Sequence, residues 1–111
     1  MNIETISIAL SFSKAPAGRY YTDGPYSGQK FRTEVLFPAL ENSEKVEVDL
    51  DGTLGYGSSF LEEAFGGLIR ECGLTLDQIN SKLTIVSTRR LYLNRITKYL
   101  NDAEAIRLGR K

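Results

Sequence analysis

"VEVDLDGTLGYGSSFLEEAFGG", residues 46–67, changes its apolar period midway. Val46, Val48 and Leu50 alternate with Glu47, Asp49 and Asp51, the two-residue period of a strand with one apolar face. Gly52, Gly55 and Gly57 then break the pattern, and the period changes. Phe60, Ala64, Phe65, Leu68 and Ile69 recur at helical spacing, which predicts an amphipathic helix from Ser59 to about Glu71. Strand, turn and helix in that order form the repeating unit of an α/β domain. Ser59 and Glu62 have capping-box spacing, with the Ser59 hydroxyl meeting the Glu62 amide and the carboxylate reaching back. Gly66 and Gly67 inside the helix cost about 2 kcal/mol relative to two alanines, so close internal packing is expected there.

Working upstream, Ile3, Ile6, Ile8 and Leu10 predict a strand over 3–12. Residues 13–18 read as a loop, 19–22 as a short antiparallel strand and 23–28 as loop punctuation. Ser27 is the expected N-cap of a helix over 28–40, with Phe31, Val35 and Leu36 or Leu40 inward. Pro38 should kink or end that helix. Downstream, 74–80 reads as a short helix and 82–88 as a buried strand. A last helix is expected over 89–103, with Leu93, Ile96, Leu100 and Ala103 as its stripe. The tail from Glu104 reads as either a short edge strand or a frayed end. The expectation is one α/β domain over residues 1–111, a small mixed sheet covered by helices.

Composition narrows the chemistry. Fourteen basic side chains balance fourteen acidic ones, so no global field favours nucleic acid or an anionic membrane. Arg89, Arg90, Arg95 and Lys98 read as a solvated helix face. There is no histidine, which removes imidazole bases and the usual zinc sites. Cys72 stands alone, so no internal disulfide forms, and a reducing compartment fits. No signal peptide precedes the first strand candidate and no apolar run approaches a span, which makes a cytoplasmic bacterial-type module the expectation.

Two chemistries compete for the quoted stretch. Asp49-Leu50-Asp51-Gly52-Thr53-Leu54 after a strand matches the nucleophile motif of haloacid dehalogenase-like phosphatases. There, the first aspartate attacks phosphorus, the second protonates the leaving group, and Mg²⁺ neutralises both. Against it, only one clear strand follows Asp51, and no later strand ends in paired acids beside a suitable lysine. Asp51-Gly52 is also a common turn opening. The second chemistry is a phosphoacceptor at Ser58, where the helix's unpaired amides favour an anion and Gly55 and Gly57 permit close approach. Glu62 and Glu63 oppose a phosphate there unless a cation is supplied. The 13–27 segment carries Arg19, Tyr20, Tyr21, Asp23 and Tyr26, residue types that suit either a contact surface or rings buried by a hairpin.

"GRYYTDGPYSGQKFRTEVLFPAL", "VEVDLDGTLGYGSSFLEEAFGGLIRE" and "LTIVSTRRLYLNRITKYLNDA" together resemble the bacterial STAS-like domain family of uncharacterised function. The resemblance runs from about Gly18 to Ala103 and is carried most specifically by "SSFLEEAFGG". It implies similarity to anti-sigma-factor antagonists, in which an Asp-Ser-Ser-Gly turn leads into a helix and the first serine takes phosphate from a partner kinase. By position that serine is Ser58, with Gly57 where those proteins have aspartate and Phe60 where they have glycine. The resemblance also implies a histidine-kinase-like ATPase as partner. The resulting expectation is a non-enzymatic protein-interaction module with no cofactor and no metal. Ser58 and Ser59 are its candidate phosphoacceptors, and Gly57, Ser58, Ser59, Glu62, Glu63, Arg19, Tyr21 and Asp23 its contact residues. Two alternatives stand beside it: the Mg-dependent phosphatase using Asp49 and Asp51, and a docking module without covalent switching.

Overall fold

Three parallel strands, in the order β1-β2-β3, form the sheet of the computed structural model, which describes residues 2–110. They are β1 (Ile3–Ser7), β2 (Lys45–Asp49) and β3 (Leu83–Val86). Ile6 pairs with Val48, and Val48 with Ile85, so these three side chains share one face. On that face Ile6, Val46 and Val48 are buried, and the helices cover it. The opposite face carries Ile3, Thr5, Glu47, Asp49, Thr84 and Val86 and is largely open, with Ile3 60% exposed.

Strand β1 stops five residues earlier than its apolar run suggests. The Ser7 hydroxyl accepts from the Leu10 amide at 3.2 Å, capping a one-turn helix α1 (Ile8–Ser11) whose Ile8 and Ala9 turn into the core. Residues 19–22 do not return as a strand. Tyr21–Asp23 form a 3₁₀ turn, because the Asp23 carboxylate accepts from the Arg19 and Tyr20 amides at 3.1 and 2.8 Å. All strand pairings among the described residues are therefore parallel, and the expected mixed sheet is corrected to a parallel one.

Ser27 caps α2 (28–42) as expected, accepting from the Lys30 amide at 3.1 Å. The helix runs through Pro38. A π-helical turn over Arg32–Leu36, closed by the Phe37 amide donating to the Arg32 carbonyl, precedes the proline. A wide turn takes up the misfit that a residue without N–H creates. Helix α3 (58–70) has the same construction, with a π-helical turn over Glu62–Gly66. A Thr75–Gln78 capping box opens α4 (Leu76–Lys82), so this helix starts two residues later than expected. Helix α5 (Arg90–Arg107) takes in the tail from Glu104 to Arg107, which resolves the edge-strand and frayed-end alternatives there in favour of continued helix.

The core joins Phe31 of α2, Phe60 and Phe65 of α3, and Tyr56, with ring centroids 5.7–6.4 Å apart. The expected inward residues Phe60, Ala64, Phe65, Leu68, Ile69, Ile96, Leu100 and Ala103 are all buried. Strand β3 is a sheet edge, half-buried at Leu83 and Ile85 and exposed at Thr84 and Val86, and not the fully buried strand that its composition suggests.

Candidate functional site

The loop from Leu50 to Gly57 leaves the end of β2 and delivers the chain to α3. Asp49, the last residue of β2, and Asp51 hold the loop itself. Asp49 Oδ1 accepts from the Asp51 amide at 2.9 Å. Asp51 reaches across to the β3–α5 turn, where it accepts from the Thr88 amide at 2.9 Å and the Thr88 hydroxyl at 3.0 Å. No group of three His, Cys, Asp or Glu side chains able to hold a metal is assembled among the described residues. Tyr56 closes the loop from inside: its hydroxyl donates to the Leu50 carbonyl at 2.6 Å and its ring packs edge-on against Tyr92 at 5.1 Å. Burial pushes the Tyr56 phenol up to about 12. Gly55 sits at φ 134°, and a Cβ there would lie 3.2 Å from the Tyr92 hydroxyl.

Gly57 is the N-cap of α3, with extended backbone and no side-chain cap. The expected Ser59–Glu62 capping box is not formed. The helix begins at Ser58, one residue earlier than expected, so Ser59 lies inside the first turn and its hydroxyl caps nothing. Gly57, Ser58 and Ser59 are all exposed. The uncapped first turn faces outward with the positive end of its peptide dipoles.

Glu62 is drawn away from that turn by arginines. Arg19 contacts Glu62 and lies 3.3 Å from Glu63 Oε1. Arg70 forms a fork on Glu62 at 2.7 and 3.1 Å and reaches Glu63 at 3.1 Å. Arg32 Nη1 donates to Glu63 Oε2 at 2.5 Å and to the Glu63 carbonyl at 2.7 Å. The Arg32–Glu63 pair is buried, its side chains 6% and 3% exposed. Burial raises the Glu62 carboxyl, but Arg70 and Arg19 outweigh it and hold the group below its ordinary range. The bond to Glu62 raises both Arg19 and Arg70.

The glycine pair makes room for this cluster. A Cβ on Gly67 would sit 2.1 Å from Arg32 Nη1, and one on Gly66 would sit 2.5 Å from Glu62 Oε2. A Cβ on Gly28 would meet the Phe60 carbonyl at 2.5 Å, so α2 and α3 touch backbone to backbone. The two π-helical turns fall at this contact, one opening at Arg32 and the other at Glu62.

The structure therefore joins Arg19 with Glu62 and Glu63, which follow Ser58 and Ser59 one turn later along α3. It separates Tyr21, whose hydroxyl donates to Glu34 at 2.8 Å. Asp23 is turned to its own loop amides. Glu63 was expected on the contact surface; it is corrected to a buried partner of Arg32. Tyr20, Tyr21 and Tyr26 are each more than 40% exposed, so no hairpin buries their rings. Arg32, Arg70, Tyr56 and Thr88 were not anticipated. For Arg32 the signal is its place in the apolar stripe, four residues before buried Leu36. Cys72 is half-buried, and burial pushes its thiol up, away from reactivity.

No helix among the described residues is long and apolar enough to cross a membrane. No curated protein and no solved structure matches the chain. A family model described as a STAS-like domain of unknown function matches residues 27–92, a span that holds the whole of α2, β2, the loop, α3, α4 and β3. The chain thus belongs to the family of STAS-like domains of unknown function.

Proposed function

We propose that this protein is a non-enzymatic regulatory module that docks onto a protein partner through the start of α3, and that a phosphate on Ser58 switches that docking. One observation carries the reading: Ser58 is an exposed hydroxyl on the uncapped first turn of a helix whose next turn is ion-paired to three arginines. A phosphate placed there meets free amides and the positive dipole end. Glu62 and Glu63, which would repel it, are neutralised: three guanidiniums face two carboxylates and leave one surplus positive charge a turn beyond the serines. The donor in this reading is a histidine-kinase-like ATPase partner, and the added charge alters the contact surface without refolding it. Arg19 links the surface to the exposed tyrosines of the 19–26 loop, which supports a contact area wider than the helix start.

The test is affinity capture of native complexes with wild type, Ser58→Ala and Ser58→Asp. Ser58→Asp should change recovery of the partner by about tenfold, the effect of roughly 1.4 kcal/mol at an interface. Equal recovery of all three, with Ser58 unmodified in cells, would falsify the switch.

A further inference from the structure

We propose that the free edge of β3 is a second docking site, which takes an extended, acidic-flanked aliphatic segment of a partner protein as a fourth strand. Strand β3 pairs on one side only, with β2. The Leu50 amide donates to the Val86 carbonyl at 2.9 Å, which turns Val86 and Thr84 towards β2. Alternation then turns the backbone of Leu83 and Ile85 outward. The Leu83 amide is taken by the Ile79 carbonyl, closing α4. What remains outward is the Leu83 carbonyl and both backbone groups of Ile85, a pairing row that an incoming strand satisfies.

Edges of this kind are ordinarily blunted by lysine, proline, a bulge or a covering element. The Leu83-Thr84-Ile85-Val86 sequence has neither charge nor proline. Beside it opens a crevice of about 210 Å³ between β3, α4 and α5, lined by Ile79, Leu83, Ile85, Leu93, Ile96 and Leu100 among others. No β2 residue lines it, so the crevice lies on the outer side of the sheet, where alternate side chains of an added strand point. The hollow at the N-terminal end of the sheet is instead lined by polar and charged residues, among them Asn2, Glu41, Glu44 and Lys82. Strand addition needs both features, backbone pairing for affinity and side-chain pockets for specificity.

Charge selects the occupant. Arg89 and Arg90, at the end of β3 where α5 begins, are exposed and have no ion-pair partner among the described residues. A second copy paired antiparallel on β3 would bring these arginines beside Lys82 of the other chain, like against like. A foreign strand with aliphatic residues at alternate positions and carboxylates at one end answers both the crevice and the arginines.

The probe is a synthetic capped peptide of alternating leucine and threonine ending in aspartates, compared with lysine-ended and centrally proline-substituted versions. Binding is read by fluorescence anisotropy, and hydrogen exchange at the Ile85 amide by NMR. The aspartate peptide should bind and slow Ile85 exchange about tenfold, and the other two should bind at least about tenfold more weakly. Leu93→Asp and the surface pair Arg89→Glu with Arg90→Glu should each weaken it by a similar factor. Ser58→Asp should leave it unchanged, which separates this site from the switch. Unaltered Ile85 exchange at saturating peptide, or binding indifferent to Leu93 and to both arginines, overturns the proposal. Self-association abolished by Leu93→Asp would overturn the choice of a foreign strand in favour of a second copy.

Discussion

Replacing Glu63 with glutamine should destabilise the protein far more than any surface charge change. Glutamine keeps the shape of the side chain but removes the charge opposite Arg32, whose guanidinium is 6% exposed. Removing one member of a buried ion pair leaves the other uncompensated, an effect of about 3–5 kcal/mol. The Glu63 carbonyl still accepts from Arg32 at 2.7 Å, so the lower end, about 3 kcal/mol, is expected. Against a total stability of roughly 5–15 kcal/mol that is a large fraction. At about 4 °C per kcal/mol, the thermal midpoint should fall by roughly 12 °C. Urea unfolding followed by circular dichroism, with the slope checked for constancy, measures it directly. The double change Arg32→Met with Glu63→Met removes both charges and should recover most of the loss. The surface pair Lys98–Asp102 is the control: Asp102→Asn should leave the midpoint where it was. A Glu63→Gln variant within about 0.5 kcal/mol of wild type would refute the buried-pair reasoning.

Three further outcomes follow from the same contacts. Gly28→Ala and Gly67→Ala should each destabilise by about 1–3 kcal/mol despite better helix propensity, because their Cβ atoms strike the Phe60 carbonyl and Arg32; Gly66→Ala, meeting only a carboxylate end, should cost less, and an equal or reversed ranking in denaturant titration would count against the packing described. Tyr56 should ionise late, near 12; since its folded value is raised, the stability it confers is complete below about pH 10 and is lost between there and pH 12. Tyr56→Phe should abolish that late step in an ultraviolet titration, and its persistence would assign the step elsewhere. Glu62 is held below its ordinary range by Arg70 and Arg19 against burial, so its stabilising contribution is present above the unfolded carboxylate value and fades as pH falls through the folded one; carbon-detected NMR of Glu62 should find that lowered midpoint, and Arg70→Ala should raise it.

The strand β2 and the apolar face of α3 were legible because each follows one period without interruption. Val46, Val48 and Leu50 point one way, and Phe60, Ala64, Phe65, Leu68 and Ile69 another. The apolar run 3–12 misled because it continues unbroken past the Ser7 hydroxyl that caps α1. Ser59 and Glu62 have the right spacing for a capping box, yet three arginines from separate parts of the chain compete for the two glutamates and win. Arg19 and Arg32 lie far from the glutamates in sequence, so spacing along α3 does not reveal these pairs. The π-helical turn of α3 is unannounced as well, since no proline marks it as Pro38 marks that of α2. Asp49 and Asp51 look catalytic in the sequence, whereas in the fold each accepts backbone hydrogen bonds that shape the loop. Gly66 and Gly67 mark close packing, as expected: a Cβ on Gly67 would strike the Arg32 guanidinium of α2, and one on Gly66 the Glu62 carboxylate.

The most direct measurement is site-resolved phosphate occupancy on the native chain, compared between the partner-bound and free pools by intact-mass and fragmentation mass spectrometry. The proposed switch requires phosphate at Ser58, with occupancy differing sharply between the two pools. An unmodified Ser58 in both pools, or equal occupancy in the two, would contradict it.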